Sequence, residues 1–286
     1  MFPPPISIQA AIDTATHQLH PLSASANLDA GVLLAHVLGV ERSYILAHSR
    51  KSLSPEQASR YQQLIERRIL GEPVAYLTGV REFWSLPFTV TPDTLIPRPE
   101  TERLIELCLD ATAHLKNIHA CDLGTGSGAI ALALAHERPS WKIIATDRSA
   151  AALKVARLNS KKFCIENVDF VQSSWFDDLA SQQFQVILAN PPYVAAHDSH
   201  LQTGSLPFEP VQALVASEDC DGYTALRTIA IEARAWLADS GYLFMEHGHD
   251  QQPVLNTLLS NLGYAEIKGH CDLNGIPRVV SARWMK

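Results

Sequence analysis

Two short segments carry residue types able to do chemistry, at spacings that chemistry needs. In Asp122-Leu123-Gly124-Thr125-Gly126-Ser127-Gly128, glycines alternate after an acid. Glycine lets the backbone turn sharply and approach a ligand with no Cβ in the way. A helix starting near Ala129 offers free N–H groups to a polar ligand. Asp147 stands about twenty residues further on, at the end of the next apolar run, where an acid can accept from ribose hydroxyls. Later in the chain, Asn190-Pro191-Pro192-Tyr193 forms a rigid polar corner. Its prolines lock φ, so the Asn190 side-chain oxygen and the Pro191 carbonyl become fixed acceptors. Tyr193 adds a flat face for a planar group. A ribose-gripping glycine loop and two acceptors for N–H bonds point to methyl transfer from S-adenosylmethionine to a nitrogen.

A carboxamide nitrogen is a poor nucleophile, because its lone pair is delocalised into the carbonyl. Holding both N–H bonds pushes electron density onto nitrogen and aims it for in-line attack. No strong base is needed before attack, since the methylated amide cation loses its proton readily. Two other readings stay open from these residues alone. A dinucleotide site uses a related loop, but with G-x-G-x-x-G spacing, and an acid before the loop suits a cationic amino-acid end better than a pyrophosphate. Asn-Pro also marks ordinary turns. Here it follows the apolar run Gln185–Ala189, and open α/β sheets bind ligands at the carboxyl ends of their strands.

Composition narrows the class of molecule. The 286 residues suffice for one large or two ordinary domains. A hydrophobic content of 47% with 19% charged residues fits a globular chain. A net charge of −7 does not favour sequence-blind nucleic-acid binding, which needs phosphates neutralised by Lys and Arg. The five cysteines (Cys108, Cys121, Cys164, Cys220 and Cys271) are scattered without a C-x-x-C pair, so neither a zinc knuckle nor a disulfide framework is expected. That cysteine usage makes a reducing cytosol the expected setting, and the start, Met1-Phe2-Pro3-Pro4-Pro5, without a basic or an apolar region, does not read as a secretory signal. No apolar run has the length of a membrane span.

The elements that must position these residues can be read in outline. Ile8–Leu19, Leu28–Val40 and a helix after Ser54 form a small helical bundle, residues 1–75. The third is signalled at both ends. Ser54 caps it, Pro55 takes the first helical position, and Gln57 completes a capping box. Gly71 and Pro73 stop it. Residues 76–100, rich in aromatics and prolines, read as a hairpin and linker. From Thr101 to Lys286 strands alternate with helices. The expected strands are Ala120–Leu123, Lys142–Thr146, Val168–Gln172, Gln185–Ala189 and Gly241–Glu246. Ala129–His136, Ala150–Ser160 and Tyr223–Leu237 are the helices between. Such alternation predicts an α/β domain with a doubly wound, mostly parallel sheet. Tyr264–Lys268 and Arg278–Trp284, around Asn274-Gly275, add a terminal antiparallel hairpin. By analogy, that addition matches class I S-adenosylmethionine-dependent methyltransferases.

In this order the two motifs resemble the PrmC/HemK family, the N5-glutamine methyltransferases of peptide chain release factors. Further stretches carry the same resemblance: Gly71-Glu72-Pro73, Leu77-Thr78-Gly79, Phe83-Trp84, Leu95-Ile96-Pro97-Arg98-Pro99-Glu100-Thr101-Glu102, Asp221-Gly222 and Glu246-His247-Gly248. Together they cover nearly the whole chain. The resemblance implies a substrate, the glutamine of the Gly-Gly-Gln loop of class I release factors. It implies a donor held by Asp122, Gly124, Thr125, Gly126, Ser127, Gly128, Asp147, Trp175 and Asn190. The amide would meet Asn190, Pro191, Pro192 and Tyr193, with Arg98 and Glu100 shaping the mouth, and the helical domain would help hold the release factor. One position departs. Relatives often carry an acid just before the residue matching Trp175, to bond the adenine amine, and this chain has Ser174.

Arg98 and Glu100 also read as a solvated ion pair. Glu246, His247, His249 and Asp250 suggest a metal, but neighbours after a strand point to opposite sides, and no metal is expected. Arg67-Arg68, near Arg50-Lys51, reads as a solvated basic face or a contact for a release factor or RNA. Two rival functions remain. One is an adenine N6-methyltransferase acting on nucleic acid, which would use the same corner on an exocyclic amine. The other is a non-catalytic donor-binding scaffold.

Overall fold

A computed structural model describes residues 5–216 and 221–286. Residues 1–4 at the start and Cys220 lie outside the described residues. The chain divides into two compact units, Met1–Val80 with Gln202–Phe208, and Arg81–Leu201 with Glu209–Lys286.

The first unit is helical. It contains α1 (Ile8–Leu19), α2 (Ala26–Leu38), α3 (Arg42–Ala47), α4 (Pro55–Ile69) and α5 (Val74–Thr78). α4 opens with the expected capping box. The Gln57 N–H donates to Ser54 Oγ at 3.1 Å, and the Ser54 N–H donates to Gln57 Oε1 at 2.9 Å. Such reciprocal bonds satisfy two donors that the helix itself cannot. The apolar faces meet around Leu33, Leu34, Tyr61 and Ile65, all fully buried. The Tyr61 hydroxyl reaches the Ala30 carbonyl at 3.0 Å, which ties α4 to α2. Of the basic cluster, Arg50, Lys51 and Arg67 are exposed and Arg68 turns inward. Arg67 is paired with Glu72, and Arg68 donates to the buried Asp29 at 2.9 Å.

The second unit begins with a hairpin of β1 (Val80–Phe83) and β2 (Leu86–Thr89). Its turn residues Trp84 and Ser85 both have positive φ, 52° and 58°, without a glycine. Glu102 holds the Trp84 N–H at 2.8 Å, and Glu137 holds its indole N–H at 2.9 Å. A 3-10 turn, Pro99–Thr101, leads into α6 (Glu102–Ala111). The succession continues with β3 (His119–Leu123), α7 (Ala129–Glu137), β4 (Lys142–Asp147), α8 (Ala150–Lys162), β5 (Val168–Gln172), β6 (Phe184–Ala189), α9 (Val211–Leu214), α10 (Thr224–Trp236), β7 (Leu237–Glu246), α11 (Gln252–Asn261), β8 (Ala265–Cys271) and β9 (Pro277–Trp284).

The seven strands order as β5-β4-β3-β6-β7-β9-β8, parallel from β5 to β7 and closed by the antiparallel β9 and β8. Strand periodicity sorts the side chains between two cores. Ala120, Val186, Leu188 and Phe244 join one core, while Cys121, Leu123, Ile187, Ala189, Leu243 and Met245 join the other. Both faces are covered, so these strands read as unbroken apolar runs. α7 is packed on nearly every side, which explains its Ala-Ile-Ala-Leu-Ala-Leu-Ala sequence.

Candidate active site

Register places the motif residues on one edge of the sheet. Leu123 pairs with Thr146 of β4 and with Ala189 of β6. The next residue in each chain segment is Gly124, Asp147 and Asn190. Three neighbouring parallel strands therefore deliver the loop, the acid and the corner to the same carboxyl end, where open sheets bind ligands.

The glycine loop is shaped by backbone bonds. The Thr125 N–H donates to the Thr146 carbonyl at 2.8 Å, and the Gly126 N–H donates to Asp147 Oδ2 at 2.9 Å. Gly124, Gly126 and Gly128 have φ of 72°, 57° and 85°, a region that side-chain-bearing residues rarely adopt. Gly128 serves helix packing. A Cβ there would come 2.9 Å from Leu132 and 3.2 Å from the Ala156 Cβ. Asp147 Oδ1 accepts the Ser149 N–H at 2.8 Å, so each carboxylate oxygen is anchored and keeps a further lone pair.

Asp122 differs from the expectation. It is fully buried beneath the loop and away from the cavity wall. Its Oδ2 accepts the Thr125 hydroxyl at 2.6 Å and the Ala131 N–H at 3.2 Å, while Oδ1 is buried without a partner. The side chain thus braces the loop against the start of α7. Burial pushes its pKa from the ordinary 3.8 up to about 7, against the pull of those two bonds. The folded chain therefore holds a proton there that the unfolded chain has released, and the associated stability is lost as pH rises from about 4 to about 7. Urea denaturation across that range should show Asp122→Asn with a shallower fall in stability than the parent, by close to one proton in slope. Equal slopes would mean that Asp122 is ionised throughout.

A cavity of about 290 Å³ opens over this edge. Its wall includes Gly124, Gly126, Asp147, Ser174, Trp175, Asn190 and Pro192. Trp175 is held at φ 51°, and its ring lies 3.6 Å from where a Cβ of Gly124 would be. Thr125, Ser127 and Gly128 shape the loop from behind the wall. Sequence reasoning missed Thr94, Thr224 and Thr228, which also line it. Thr224 and Thr228 stand four apart on α10, whose opposite face carries Leu226, Ile229, Ala230 and Ala233 into the core. That polar pair on an amphipathic helix was the available signal.

At the corner, Asn190 and Pro192 face the cavity, whereas Pro191 is buried. Tyr193, expected to lay a flat face against the planar substrate group, is placed elsewhere. It is not on the cavity wall, its ring packs against the core beneath β6 and β7, and its hydroxyl donates to Glu246 Oε1 at 3.1 Å. Glu246 in turn accepts the Thr101 hydroxyl at 2.7 Å, and Asn190 Nδ2 donates to Thr101 Oγ1 at 3.1 Å. Gln251 clamps the far side. Its Nε2 donates to the Tyr193 carbonyl at 3.0 Å, and its Oε1 accepts the Gly248 N–H at 2.8 Å.

Arg98 and Glu100 are also absent from the cavity wall. They do not form the solvated pair that was the alternative reading. Arg98 is bonded to Glu209, whose side chain is fully buried and also accepts the Ile96 N–H at 3.1 Å. This clasp pins the proline-rich segment to the residues before Pro210, which lines the cavity. Arg98→Ala should cost about 2–4 kcal/mol in chemical denaturation, because it takes the guanidinium away from a buried carboxylate. A loss under half a kcal/mol would make the pair dispensable. The residues Glu246, His247, His249 and Asp250 diverge. Glu246 is taken by two hydroxyls and His247 Nδ1 by the Gly248 carbonyl, while His249 and Asp250 are exposed. Among the described residues, no group of three or more His, Cys, Asp or Glu side chains is placed to hold a metal.

Comparison with known proteins agrees with this geometry. The PrmC N-terminal domain model matches residues 10–79, and the methyltransferase small domain model matches residues 101–210. The chain is 45% identical over 281 residues to a release factor glutamine methyltransferase of Vibrio cholerae, covering 98% of this chain and 97% of that one. It is 43% identical over 278 residues to the Coxiella burnetii protein of the same name, covering 97% and 99%. A methyltransferase structure from Pyrococcus furiosus superposes with a TM-score of 0.54 at 16% identity, over 77% of this chain and 98% of that one, a likeness of fold alone. With near-complete coverage by such relatives, and with the loop, acid and corner on one sheet edge, the chain belongs to the release factor glutamine methyltransferase family.

Proposed function

We propose that this protein transfers a methyl group from S-adenosylmethionine to the side-chain amide nitrogen of the glutamine in the Gly-Gly-Gln loop of class I release factors. The observation that carries this is the placement of Gly124 and Gly126, Asp147 and Asn190 around one cavity. The cavity fits the donor in kind. Two glycines leave the wall without Cβ atoms, Asp147 keeps lone pairs for ribose hydroxyls, and the Trp175 ring borders the loop. The bound donor supplies an electrophilic methyl on a positive sulfur.

The chain's own residues then do the positioning. Asn190 Oδ1 accepts one N–H of the glutamine amide, and the Pro191 carbonyl accepts the other. This fixes the nitrogen's direction and raises its electron density. Pro191 and Pro192 keep the acceptors rigid. Tyr193 supports the corner from below. The helical unit grips the release factor, and Arg98 and Glu100 act on the mouth through the segment they belong to. The setting is cytoplasmic. Among the described residues no helix is long and apolar enough to cross a membrane.

The test is mass spectrometry of the Gly-Gly-Gln tryptic peptide after incubating release factor with protein and donor. One added methyl is expected, absent with Asn190→Ala. Label entering DNA and not release factor would favour the adenine reading. Donor binding with no methylated product on any class I release factor would favour the scaffold.

A further inference from the structure

We infer that Thr101 is a positioning residue for Asn190: its hydroxyl can meet that side chain only as an acceptor, and so turns the Asn190 carboxamide oxygen towards the substrate. The inference rests on the proposed role of Asn190 and deepens it.

A carboxamide has two nearly isosteric faces, one an acceptor and one a pair of donors. If Asn190 sat with its NH2 group towards the substrate, it would set donor against donor and hold no glutamine N–H. Something must choose the orientation. Thr101 has one hydroxyl proton. Glu246, an acceptor when ionised, takes that proton through Oε2 at 2.7 Å. The Thr101 oxygen then has only lone pairs left for Asn190, so Asn190 must present Nδ2, which it does at 3.1 Å. Its Oδ1 is left facing the other way.

The direction of the chain is set at its far end. Tyr193 donates to the second Glu246 oxygen at 3.1 Å, so both oxygens accept. Thr101 and Glu246 are 4% and 1% exposed, which keeps water from offering another pattern. The backbone fixes the parts. Asn190 and Glu246 each follow a residue of the register pair Ala189 and Met245 on adjacent strands. Thr101 ends the 3-10 turn where the Pro-Arg-Pro-Glu-Thr stretch enters α6. Burial, with a smaller push from the Glu100 charge, raises the pKa of Glu246, and the two hydroxyls and Arg278 oppose that rise. An isosteric Glu246→Gln would not keep this polarity. Its amide could offer N–H to Thr101, release the threonine proton towards Asn190, and let that carboxamide turn over.

The experiment is a double-mutant cycle in the full-length protein, with release factor as substrate. Thr101→Val should lower kcat about 10–100-fold, with KM for the donor within about threefold, since one aimed acceptor is misdirected. Thr101→Ser, which keeps the hydroxyl, should stay within about threefold of the parent. The double variant Thr101→Val with Asn190→Ala should be no more than about threefold slower than Asn190→Ala alone, because both act through one group. Multiplied losses in the double variant would overturn the inference, as would Thr101→Val with parental kcat beside a crippled Asn190→Ala. Parental activity in Asn190→Ala would instead remove the functional reading beneath it. If Thr101→Val does not fold, Glu246→Gln decides. A kcat down about tenfold or more supports the chain of bonds, and an unchanged kcat overturns it.

Discussion

Asn190→Ala is expected to lose about 10²–10³ in kcat while binding S-adenosylhomocysteine within about tenfold of the parent. The two parts have different causes. In the proposed function donor binding draws on the glycine loop, Asp147 and the wall around Trp175, and the substitution leaves all of these in place. Turnover needs an acceptor aimed at one N–H of an amide that is otherwise a poor nucleophile. Removing it also leaves the Thr101 oxygen without its donor. Asn190→Gln separates chemistry from position. It keeps a carboxamide but moves it by about one carbon–carbon bond, so a loss of roughly 10² is still expected, because misplacement near 1 Å has that effect. Single-turnover assays with release factor, alongside calorimetric titration of S-adenosylhomocysteine, make the comparison. Asn190→Gln at parental rate would mean that the corner tolerates slack and that positioning is not its contribution. Equal losses in binding and turnover would make Asn190 mainly a donor ligand.

What could be read from the sequence follows from how local each feature is. The glycine loop, Asp147 and Asn190 were legible because each sits where an apolar run ends. Parallel register then brings consecutive strand ends together without further information. The capping box of α4 was legible for the same reason, as all its partners lie within four residues. The supports of the site were not. Glu246 meets Thr101 across 145 residues, Asn190 meets Thr101 across 89, and Arg98 meets Glu209 across 111. No spacing rule reaches that far. The bonds of Asp122 to Thr125 and Ala131 were not legible, because an acid before a glycine loop looks the same whether it faces the ligand or the helix behind. Of the basic run, Arg67 is exposed as a solvated face requires, and the inward turn of Arg68 was not legible because its partner Asp29 lies in α2, a different helix. Helices α6 and α11 lie outside the expected elements. α6 begins without a side-chain cap, and α11 buries only Leu255 and Leu259. α11 lacks the strong periodic signal that identified α4, whereas α6 carries one in Leu104, Ile105 and Cys108 but has no capping residue to mark its start. The Trp84-Ser85 turn lacks the glycine that normally marks such a bend, and tertiary bonds to Glu102 and Glu137 hold it instead.

Gly222→Ala should damage turnover more than its size suggests. Gly222 has φ 69°, so any side chain there costs about 1 kcal/mol in backbone strain. The larger problem is space. A Cβ on Gly222 would lie 2.4 Å from the Tyr193 carbonyl oxygen, 3.1 Å from its carbon and 3.2 Å from the Ala195 nitrogen. All three are backbone atoms, so no side chain can swing aside. Gln251 bridges the same two strands of chain, bonding the Tyr193 carbonyl at 3.0 Å and the Gly222 carbonyl at 3.4 Å. Relief must therefore come from moving Tyr193, which follows directly on the Asn-Pro-Pro corner and carries the bond to Glu246. A shift near 1 Å there should lower kcat about 10²-fold. Gly39→Ala provides the control. Gly39 has a similar φ of 65°, ends α2, and has nothing within 4 Å of a built Cβ. That substitution should cost about 1 kcal/mol of stability and leave kcat unchanged. Comparing kcat and thermal midpoints of the two variants separates backbone strain from displacement of the corner. If both lose the same stability and neither loses turnover, the loop at Gly222 can yield without moving Tyr193, and the corner draws its rigidity from its prolines alone.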